Sequence, residues 1–253
     1  MFNDYTVEDS RKCWNNNAKY WSRELRKGND ITRDHFMLPA FLEHCPDLRR
    51  RKVLDVGCGD GSIARIINNR GALVTGVDFS ENMIDLAKSL SKTYDINYTV
   101  GSAVSLTNIF HKSEFDVIIS FMVLHSVNNL ASFFHQASEI LSDRGEIYFL
   151  TAHPCFRKKK SEYLKNRGIV ITDYFNDEIE YVKWDFGKFE KNNMEDIRFP
   201  WKLEDYINGL ANAGFSIDQI IEPCPTKAAI KLLPSLEKWT HAAHSLIVKA
   251  SKR

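Results

Sequence analysis

Short apolar runs alternate along the chain with stretches whose apolar residues recur at helical spacing. Such runs are typical of buried strands when they end at glycine or polar residues, and the periodic stretches are typical of amphipathic helices. The predicted strands are 53–56, 73–77, 97–100, 115–121 and 146–151. The predicted helices between them are 62–69, 81–90 and 130–141. Because strands that alternate with helices form a parallel sheet covered on both faces, the pattern predicts an α/β fold.

Further helices and strands are predicted before and after this alternating part of the chain. The elements predicted there are helices at 5–27, 33–44 and 203–213 and strands at 215–222 and 245–250. Residues 153–201 break the alternation, because they are dense in charged and aromatic residues. We expect this segment to be an insertion that packs over the carboxyl edge of the sheet, which is the edge where α/β proteins bind ligands.

The composition of the chain bears on whether it binds nucleic acid, membranes or metal and on the compartment in which it works. The formal net charge is +1, so no strong field draws the whole protein to nucleic acid or an anionic membrane, although local patches can exist. No run reaches the roughly 20 apolar residues of a membrane span, and the polar segment 1–19 predicts no signal peptide. The five cysteines are scattered without a CxxC pair, which argues against disulfides and structural zinc. We therefore expect a cytoplasmic protein without a metal site.

A glycine-rich turn follows the first strand of the predicted sheet. Glycines at 57, 59 and 61 allow a sharp turn and leave no Cβ between the backbone and a ligand. In the dinucleotide fingerprint GxGxxG the third glycine comes one residue later, and its loop faces a pyrophosphate. Here Asp55 and Asp60 would repel such an anion, so the turn suits a ligand that carries positive charge. A tight turn without a ligand, with Asp55 as a capping residue, is the structural alternative.

Three segments carry a family resemblance. Residues 53–62 resemble motif I of the class I S-adenosylmethionine-dependent methyltransferases, and residues 74–80, with Asp78 at the end of the second strand, resemble their motif II. Residues 115–125 resemble the fourth-strand motif of the small-molecule branch, of the type 11 and type 25 kind. The resemblance covers about residues 50–150 well and the last helix and strands loosely.

This resemblance implies a Rossmann-like class I methyltransferase fold: a seven-stranded, mostly parallel sheet with helices on both faces and an insertion after the fifth strand. The implied divisions of the single domain 1–253 are a helical cap (1–48), a cofactor-binding core (49–152), an acceptor-site insertion (153–201) and a C-terminal helix and strands that complete the sheet (202–253). It also implies S-adenosylmethionine as cofactor, with S-adenosylhomocysteine as its product.

The resemblance further implies a set of cofactor-binding residues: Tyr20, Asp55, Gly57, Cys58, Gly59, Asp78, Phe79, Met83, Ser102, Ala103 and Phe121. In these roles Asp55 and Gly57 hold the ammonium group of the methionine moiety, and Asp78 accepts from both ribose hydroxyls. Ser102 stands where many relatives carry an aspartate that accepts from the adenine amino group. Because a hydroxyl is a weaker acceptor than a carboxylate, this departure predicts a lower cofactor affinity or a compensating group.

Methyl transfer from a sulfonium is an in-line displacement, in which the protein contributes mainly by positioning the two reactants. A base is needed where the acceptor must lose a proton, and the candidates are His125 after the fourth strand and His153 after the fifth. His125 could instead be a packed residue that orients the cofactor loop. The candidate acceptor-binding residues are Trp21, Phe156, Tyr174 and Trp201, each of which could equally be an ordinary packing residue. The basic run 157–160 is interpreted as a solvated loop rather than a phosphate contact.

The sequence leaves several functions open. The leading hypothesis is a small-molecule O- or N-methyltransferase that acts as a monomer or homodimer without a membrane or nucleic-acid partner. The alternatives are an RNA or protein methyltransferase, a catalytically silent cofactor-binding subunit, and a nicotinamide-dependent oxidoreductase. The motif Asn-Pro-Pro-Tyr of amino-group DNA methylation is absent after the fourth strand, and Cys155 follows the fifth strand rather than the fourth, where a pyrimidine-C5 nucleophile would be expected.

Overall fold

A computed structural model of the chain describes residues 6–157, 161–164, 168–184 and 194–253. The strands are β1 (Lys52–Val56), β2 (Leu73–Asp78), β3 (Ile96–Val100), β4 (Phe115–Phe121), β5 (Leu141–Ala152), β6 (Ser161–Leu164), β7 (Gly168–Ile171), β8 (Glu180–Trp184), β9 (Met194–Arg198), β10 (Phe215–Ile221) and β11 (Ser245–Lys252). The α-helices are α1 (Val7–Arg26), α2 (Leu38–His44), α3 (Ser62–Asn68), α4 (Glu81–Leu90), α5 (Leu130–Ile140), α6 (Leu203–Asn212) and α7 (Lys227–Leu232).

Seven strands form one sheet in the order β10-β11-β5-β4-β1-β2-β3. The pairs formed by β1 to β5 are parallel, whereas β11 lies antiparallel between β5 and β10. This arrangement confirms the predicted seven-stranded, mostly parallel sheet. The strand order reverses between β1 and β4, and ligands of such sheets bind outside the carboxyl ends of the strands at that point.

The core lies on both faces of this sheet. Consecutive residues of a strand point to opposite faces, so Leu54 of β1 and Phe149 of β5 pack with α5 and α6 on one side. Their neighbours Val53 and Tyr148 belong to a second cluster with α2 and α3 on the other side. The near-continuous burial of β4 and β5 matches a parallel sheet covered twice, as the apolar runs predicted.

Some elements differ from the sequence-based predictions. The second predicted helix, 33–44, begins as a π-helical stretch, Arg33–Met37, before α2. Short 3₁₀ turns at Ala103–Asn108, Leu124–Ser126 and Pro234–Thr240, and the helix α7, were not predicted. The predicted cap of α4 is confirmed, because Ser80 Oγ accepts from the backbone N–H of Met83.

The insertion after β5 contains two small antiparallel sheets, β6–β7 and β8–β9, within its described residues. Strand β9 lies against α1, where Asn17 Nδ2 donates to the carbonyl of Glu195 at 2.7 Å. Lys158 to Lys160 of the basic run and the aromatic residues Phe186 and Phe189 fall outside the described residues. In the described part of the chain, no helix combines the length and apolar character needed to cross a membrane.

Candidate active site

A cavity of about 740 Å³ opens at the carboxyl ends of β1, β2 and β4, where the strand order reverses. Its volume falls in the range of roughly 300–1,000 Å³ that is usual for small-molecule sites. The predicted residues that line it are Trp21, Asp55, Gly57, Cys58, Gly59, Asp78, Phe79, Met83, Ser102, Ala103, Phe121 and His125. The sheet therefore brings residues from five separate segments of the sequence to one site.

Asp55 is a buried carboxylate with an unused oxygen. It lies on β1 with 1 % of its surface exposed, and its Oδ2 has no hydrogen-bond partner among the described residues. Burial, and secondarily the charge of Asp78, raise the pKa of Asp55 to about 7. A buried carboxylate without a partner is costly, and a cation placed in the cavity beside it would relieve that cost.

The turn after β1 is held close to the loop after β4. Gly57 has φ of 72°, in the left-handed region, and its N–H donates to the carbonyl of Val77 at 2.8 Å. A Cβ on Gly57 would overlap both Cγ atoms of Val123. Glycine is therefore required here both for the backbone conformation and for the close approach of the two loops. Met122, next to Val123 in the cavity wall, also adopts a left-handed conformation, with φ of 58°.

Asp78 ends β2, one strand away from Asp55. Its Oδ2 accepts from the N–H of Gly59 and its Oδ1 from the N–H of Ser80, both at 2.9 Å. Burial raises the pKa of Asp78 to about 6, although these two donors act in the opposite direction. The carboxylate keeps lone pairs that can accept from a diol, since each oxygen can accept more than one hydrogen bond.

Residues after β2 and β3 form an apolar slot beside Asp78. Phe79, Met83 and Ala103 line the cavity there and supply the apolar surface that a flat ring system needs. The hydroxyl of Ser102 lies 3.4 Å from the N–H of Val104, from which it accepts as the cap of a 3₁₀ turn. That bond occupies part of the acceptor capacity of Ser102, while its own O–H remains able to donate.

Helix α1 covers the cavity. The residues of α1 that line it are Val7, Ser10, Trp14 and Trp21, which share one face of the helix. The rings of Trp14 and Trp21 meet edge to face with centroids 6.1 Å apart. Asn15 fastens the helix to the start of α4, because its Oδ1 accepts from Ser80 Oγ at 2.6 Å and from the N–H of Asn82 at 3.2 Å.

His125 is the predicted base that lines this cavity. Its Nε2 lies 3.7 Å from Asp196 Oδ2, and its buried Nδ1 has no partner among the described residues. Burial lowers the pKa of His125, and Asp196 opposes that effect. Asp196 is itself fixed by Ser126 Oγ at 3.1 Å and by Trp14 Nε1 at 3.3 Å. The imidazole is therefore neutral near pH 7 and held beside a carboxylate.

His153 lies outside the large cavity, contrary to the expectation that it faces the acceptor. Its Nδ1 accepts from the N–H of Cys155, and its Nε2 lies 2.8 Å from Glu222 Oε1. Because Nδ1 accepts, Nε2 carries the proton and donates to the carboxylate, so both ring nitrogens are already used. The ring borders a separate cavity of about 40 Å³, which is too small for a methyl acceptor.

Four other predicted residues also lie away from the large cavity. Tyr20 is turned to another side of α1, where Arg23 lies over its ring. Phe156 packs on the ring of His153, and Tyr174 accepts from the N–H of Leu203. Trp201 donates from Nε1 to the carbonyl of Val127 at 2.7 Å and lines the small cavity. These four aromatic rings therefore make packing and hydrogen-bond contacts away from the large cavity.

The large cavity is completed by further titratable residues that the sequence does not single out: Asp30, Arg33, Arg157, Asp196, Arg198 and His244. For Arg157 the interpretation as part of a solvated loop is wrong, because Arg157 lines the cavity and its Nη1 donates to His244 Nε2. Residues 158–160 of that run lie outside the described residues. Arg33 donates to Ser62 Oγ at 2.9 Å beside the glycine turn. Nothing local in the sequence ties Arg33 to the turn.

Comparisons with known proteins agree with this geometry. Residues 54–149 match the family described as the methyltransferase domain. A ubiquinone biosynthesis O-methyltransferase of Coxiella burnetii is 29 % identical over 150 residues, which are 53 % of this chain and 63 % of the relative's length. An uncharacterised protein of Haemophilus influenzae is 28 % identical over 240 residues, covering 85 % of this chain and 86 % of its own.

A solved structure extends the likeness to the fold. The crystal structure of an S-adenosylmethionine-dependent methyltransferase from Mesorhizobium loti superposes with a TM-score of 0.70 at 26 % identity, over 85 % of this chain and 96 % of that one. The orphaned oxygen of Asp55, the glycine turn and the position of Asp78 fit a cofactor with a cationic amino-acid end and a ribose. In its matched domain and its fold the chain is similar to the S-adenosylmethionine-dependent methyltransferases, and the residues of the site fit the cofactor of those enzymes.

Proposed function

We propose that the chain transfers the methyl group of S-adenosylmethionine to an oxygen or nitrogen atom of a small organic acceptor. The observation that carries this proposal is the unpartnered Oδ2 of Asp55, which is buried at the wall of a cavity large enough for two molecules in contact. When bound, the cofactor supplies an electrophilic methyl group. The contribution of the protein is to hold the acceptor in line with that group, for which intramolecular models allow roughly 7–11 kcal/mol.

In this proposal Asp55 and the backbone of Gly57 bind the ammonium group, and Asp78 binds the ribose hydroxyls. Phe79, Met83 and Ala103 enclose the adenine, and the segment around Phe121 lies along the methionine chain. Arg33 suits the carboxylate of the methionine moiety, because it lines the cavity beside the turn and keeps N–H groups beyond the two that it donates to Asp34 and Ser62. The acidic and basic groups at this end would then match the two charges of the amino-acid end.

His125 is the proposed proton acceptor where the acceptor atom is a hydroxyl. Burial keeps the imidazole neutral, so it can take up a proton, and Asp196 would stabilise the imidazolium that results. The O-methyltransferase named among the relatives favours oxygen as the acceptor atom, although the match covers 63 % of that protein. Methylation of nitrogen needs no such base when the amine is already uncharged.

A small acceptor is favoured over RNA or protein by the cover on the cavity. Helix α1 is fixed on one side by Asn15 to α4 and on the other by Asn17 to β9. A macromolecule would have to displace this helix to reach the methyl group, whereas a small molecule can be enclosed beneath it. Within the proposed domain arrangement, α1 is the cap and the insertion 153–201 contributes Arg157, Asp196 and Arg198 to the acceptor side.

Calorimetric titration tests the cofactor part of the proposal. We expect S-adenosylhomocysteine to bind and NAD not to bind, and we expect the Asp55→Asn variant to bind S-adenosylhomocysteine at least about tenfold more weakly, because a charge-assisted bond is lost. The matched control is Asp95→Asn, a surface carboxylate remote from the cavity lining. Binding of NAD, or equal affinity of the parent and Asp55→Asn for S-adenosylhomocysteine, would refute the proposal.

A further inference from the structure

The large cavity is lined by two carboxylates at the ends of β1 and β2 and, over another part of the sheet, by a basic group. Asp55 and Asp78 lie at the carboxyl ends of the neighbouring strands β1 and β2. Arg157 follows β5, and His244 directly precedes β11, which pairs with β5. Strand β4 separates these two strands from β1 and β2. The cofactor residues and this basic group therefore lie over different parts of the sheet, within one continuous cavity.

Arg157 forms no ion pair with a carboxylate of the described residues, although the charge of Glu180 acts on it. Its Nη1 donates to His244 Nε2 at 2.6 Å, and the described residues contain no carboxylate oxygen within ion-pair distance of its guanidinium. Because arginine can only donate, His244 Nε2 must accept, and the imidazole is neutral with its proton on Nδ1 toward Ser245 Oγ. The guanidinium is thus paired with an uncharged group, and Arg157 lines both the large cavity and the small one.

Arg198 lies on the same side of the cavity with a fork that is only partly used. Its Nε donates to Asp196 Oδ2 at 3.1 Å, and Asp196 also accepts from Ser126 and Trp14. Neither Nη of Arg198 has a hydrogen-bond partner among the described residues. Asp196 offsets one positive charge, so among the described residues Arg157 and Arg198 exceed their ion-pair partners by one positive charge.

The neighbouring titratable groups agree with this excess of positive charge. Burial, followed by the charges of Arg157, Lys238 and Arg198, lowers the pKa of His244 well below its usual value. Burial and the nearby Arg198 lower the pKa of Arg157 to about 10, which leaves it protonated at neutral pH. Glu180, which borders the small cavity on the far side of Arg157, acts on that guanidinium less strongly than Arg198 does.

We propose that Arg157 and Arg198 form a subsite for an anionic group of the methyl acceptor, a carboxylate or a phosphate-like group attached to an apolar body. The planar forks of two arginines suit the paired oxygens of such a group. The apolar body would lie against Trp14, Val127 and Leu233, which line the same cavity. This inference rests on the proposed methyltransferase function, and it adds the chemical class of the acceptor, a small organic acid.

The test uses the full chain saturated with S-adenosylhomocysteine and titrated with benzoate, phenylphosphonate and benzamide. Quenching of tryptophan fluorescence reports binding, because Trp14 and Trp21 line the cavity. We expect at least one of the two anions to bind about tenfold or more tightly than the neutral benzamide, and the stronger anion identifies the carboxylate or the phosphate-like group. Equal binding of benzamide and both anions, or no binding of either anion, would overturn the proposal.

Variants separate the subsite from the fold. We expect Arg157→Gln and Arg198→Gln each to weaken anion binding about tenfold, while the affinity for S-adenosylhomocysteine stays within about twofold. If Arg157→Gln does not fold, Arg198→Gln provides the test. The side chain of Arg198 is 20 % exposed, so its replacement disturbs the fold less. The matched control is Arg51→Gln, a half-buried arginine at the amino end of β1 that pairs with Glu146, and it should change neither affinity.

Two failures remain distinguishable. If the parent does not bind S-adenosylhomocysteine, the proposed function fails, whatever the anions do. If the parent binds S-adenosylhomocysteine but Arg157→Gln and Arg198→Gln both bind the anions as the parent does, the subsite is wrong and the methyltransferase proposal stands.

Discussion

Asp55 and Asp78 lie at the carboxyl ends of neighbouring parallel strands and line one cavity, so that the negative charge of Asp78 adds to burial in raising the pKa of Asp55. Asp78 is compensated by two backbone N–H donors, whereas Oδ2 of Asp55 has no partner among the described residues. The two carboxylates therefore carry an electrostatic cost in the ligand-free protein. A cationic ligand that binds between the strand ends would remove that cost.

Replacing Asp55 by asparagine should stabilise the ligand-free protein while it weakens cofactor binding. The folded-state pKa of Asp55 is about 7, above its ordinary value of 3.8. The folded protein therefore keeps its full free energy of unfolding while the carboxyl is protonated, below about pH 4, and loses part of it as the pH rises through 7. We expect the gain for Asp55→Asn at pH 8 to be on the order of 2 kcal/mol in the free energy of unfolding. Urea unfolding of both proteins at pH 8 and pH 5 measures it. The gain should shrink at pH 5, and a destabilised variant at pH 8 would contradict the argument.

Cofactor affinity should depend on pH through the same carboxylate. An ammonium group binds the ionised form of Asp55, and below a pKa of about 7 that form must first be regenerated by losing a proton. Affinity for S-adenosylhomocysteine is therefore expected to fall about tenfold between pH 8 and pH 6. Calorimetry at pH 8, 7 and 6 checks this fall. Asp55→Asn is the control, since its affinity should be low at each pH and should lack the same dependence.

Asp78→Ala should weaken cofactor binding without unfolding the chain. The substitution removes the acceptors for the ribose hydroxyls and also frees the N–H groups of Gly59 and Ser80. We expect a loss of roughly 2–4 kcal/mol in binding free energy, because each bond to a charged group contributes about 1.5–3 kcal/mol before relaxation. The dissociation constant for S-adenosylhomocysteine measures the loss, and adenine alone serves as the control ligand. An unchanged constant would show that Asp78 does not bind the ribose.

Local patterns were sufficient to predict the sheet and its acidic, glycine-rich edge. The apolar run 115–121 and the turn after Val56 depend on residues close in sequence, and the structure has β4 at Phe115–Phe121. The cap of α4 at Ser80 follows from one hydroxyl and the next turn of the helix. Such features are determined by neighbouring residues, so a single sequence contains them.

The basic side of the cavity could not be predicted in the same way. Arg157 belongs to a run of four basic residues, which indicates a solvated loop, and its partner His244 lies 87 positions away in sequence. Asp196 comes to His125 because β9 packs against α1, a contact between distant segments. His153 follows β5 at the expected edge, but its bond to Glu222 turns the ring away from the large cavity. Side-chain direction after a strand depends on tertiary packing that periodicity does not contain.

Gly57→Ala should destabilise the protein more than Gly28→Ala. Both glycines have φ of 72°. An alanine in this left-handed conformation lowers the free energy of unfolding of either variant by roughly 1 kcal/mol. A Cβ at position 57 also overlaps Val123, whereas a Cβ at position 28 meets no atom within 4 Å. Overpacking adds roughly 1–3 kcal/mol at position 57. Urea unfolding compares the two, and the double variant Gly57→Ala with Val123→Ala should recover part of the difference. Equal losses for the two single variants would show that the loops are free to separate.

Loosening α1 should weaken cofactor binding, even though Asn15 itself is absent from the cavity wall. The side chain of Asn15 accepts from Ser80 and Asn82 and donates to Glu81, and each such bond contributes roughly 1 kcal/mol to keeping the helix in place. We expect Asn15→Ala to raise the dissociation constant for S-adenosylhomocysteine about fivefold or more, and to speed hydrogen exchange of the α1 amides. The matched control is Asn16→Ala, which makes the same change at the next, exposed position of the same helix and gains the same helix propensity. If both variants bind and exchange alike, α1 is held by its packing and the contact of Asn15 with α4 does not govern access to the cavity.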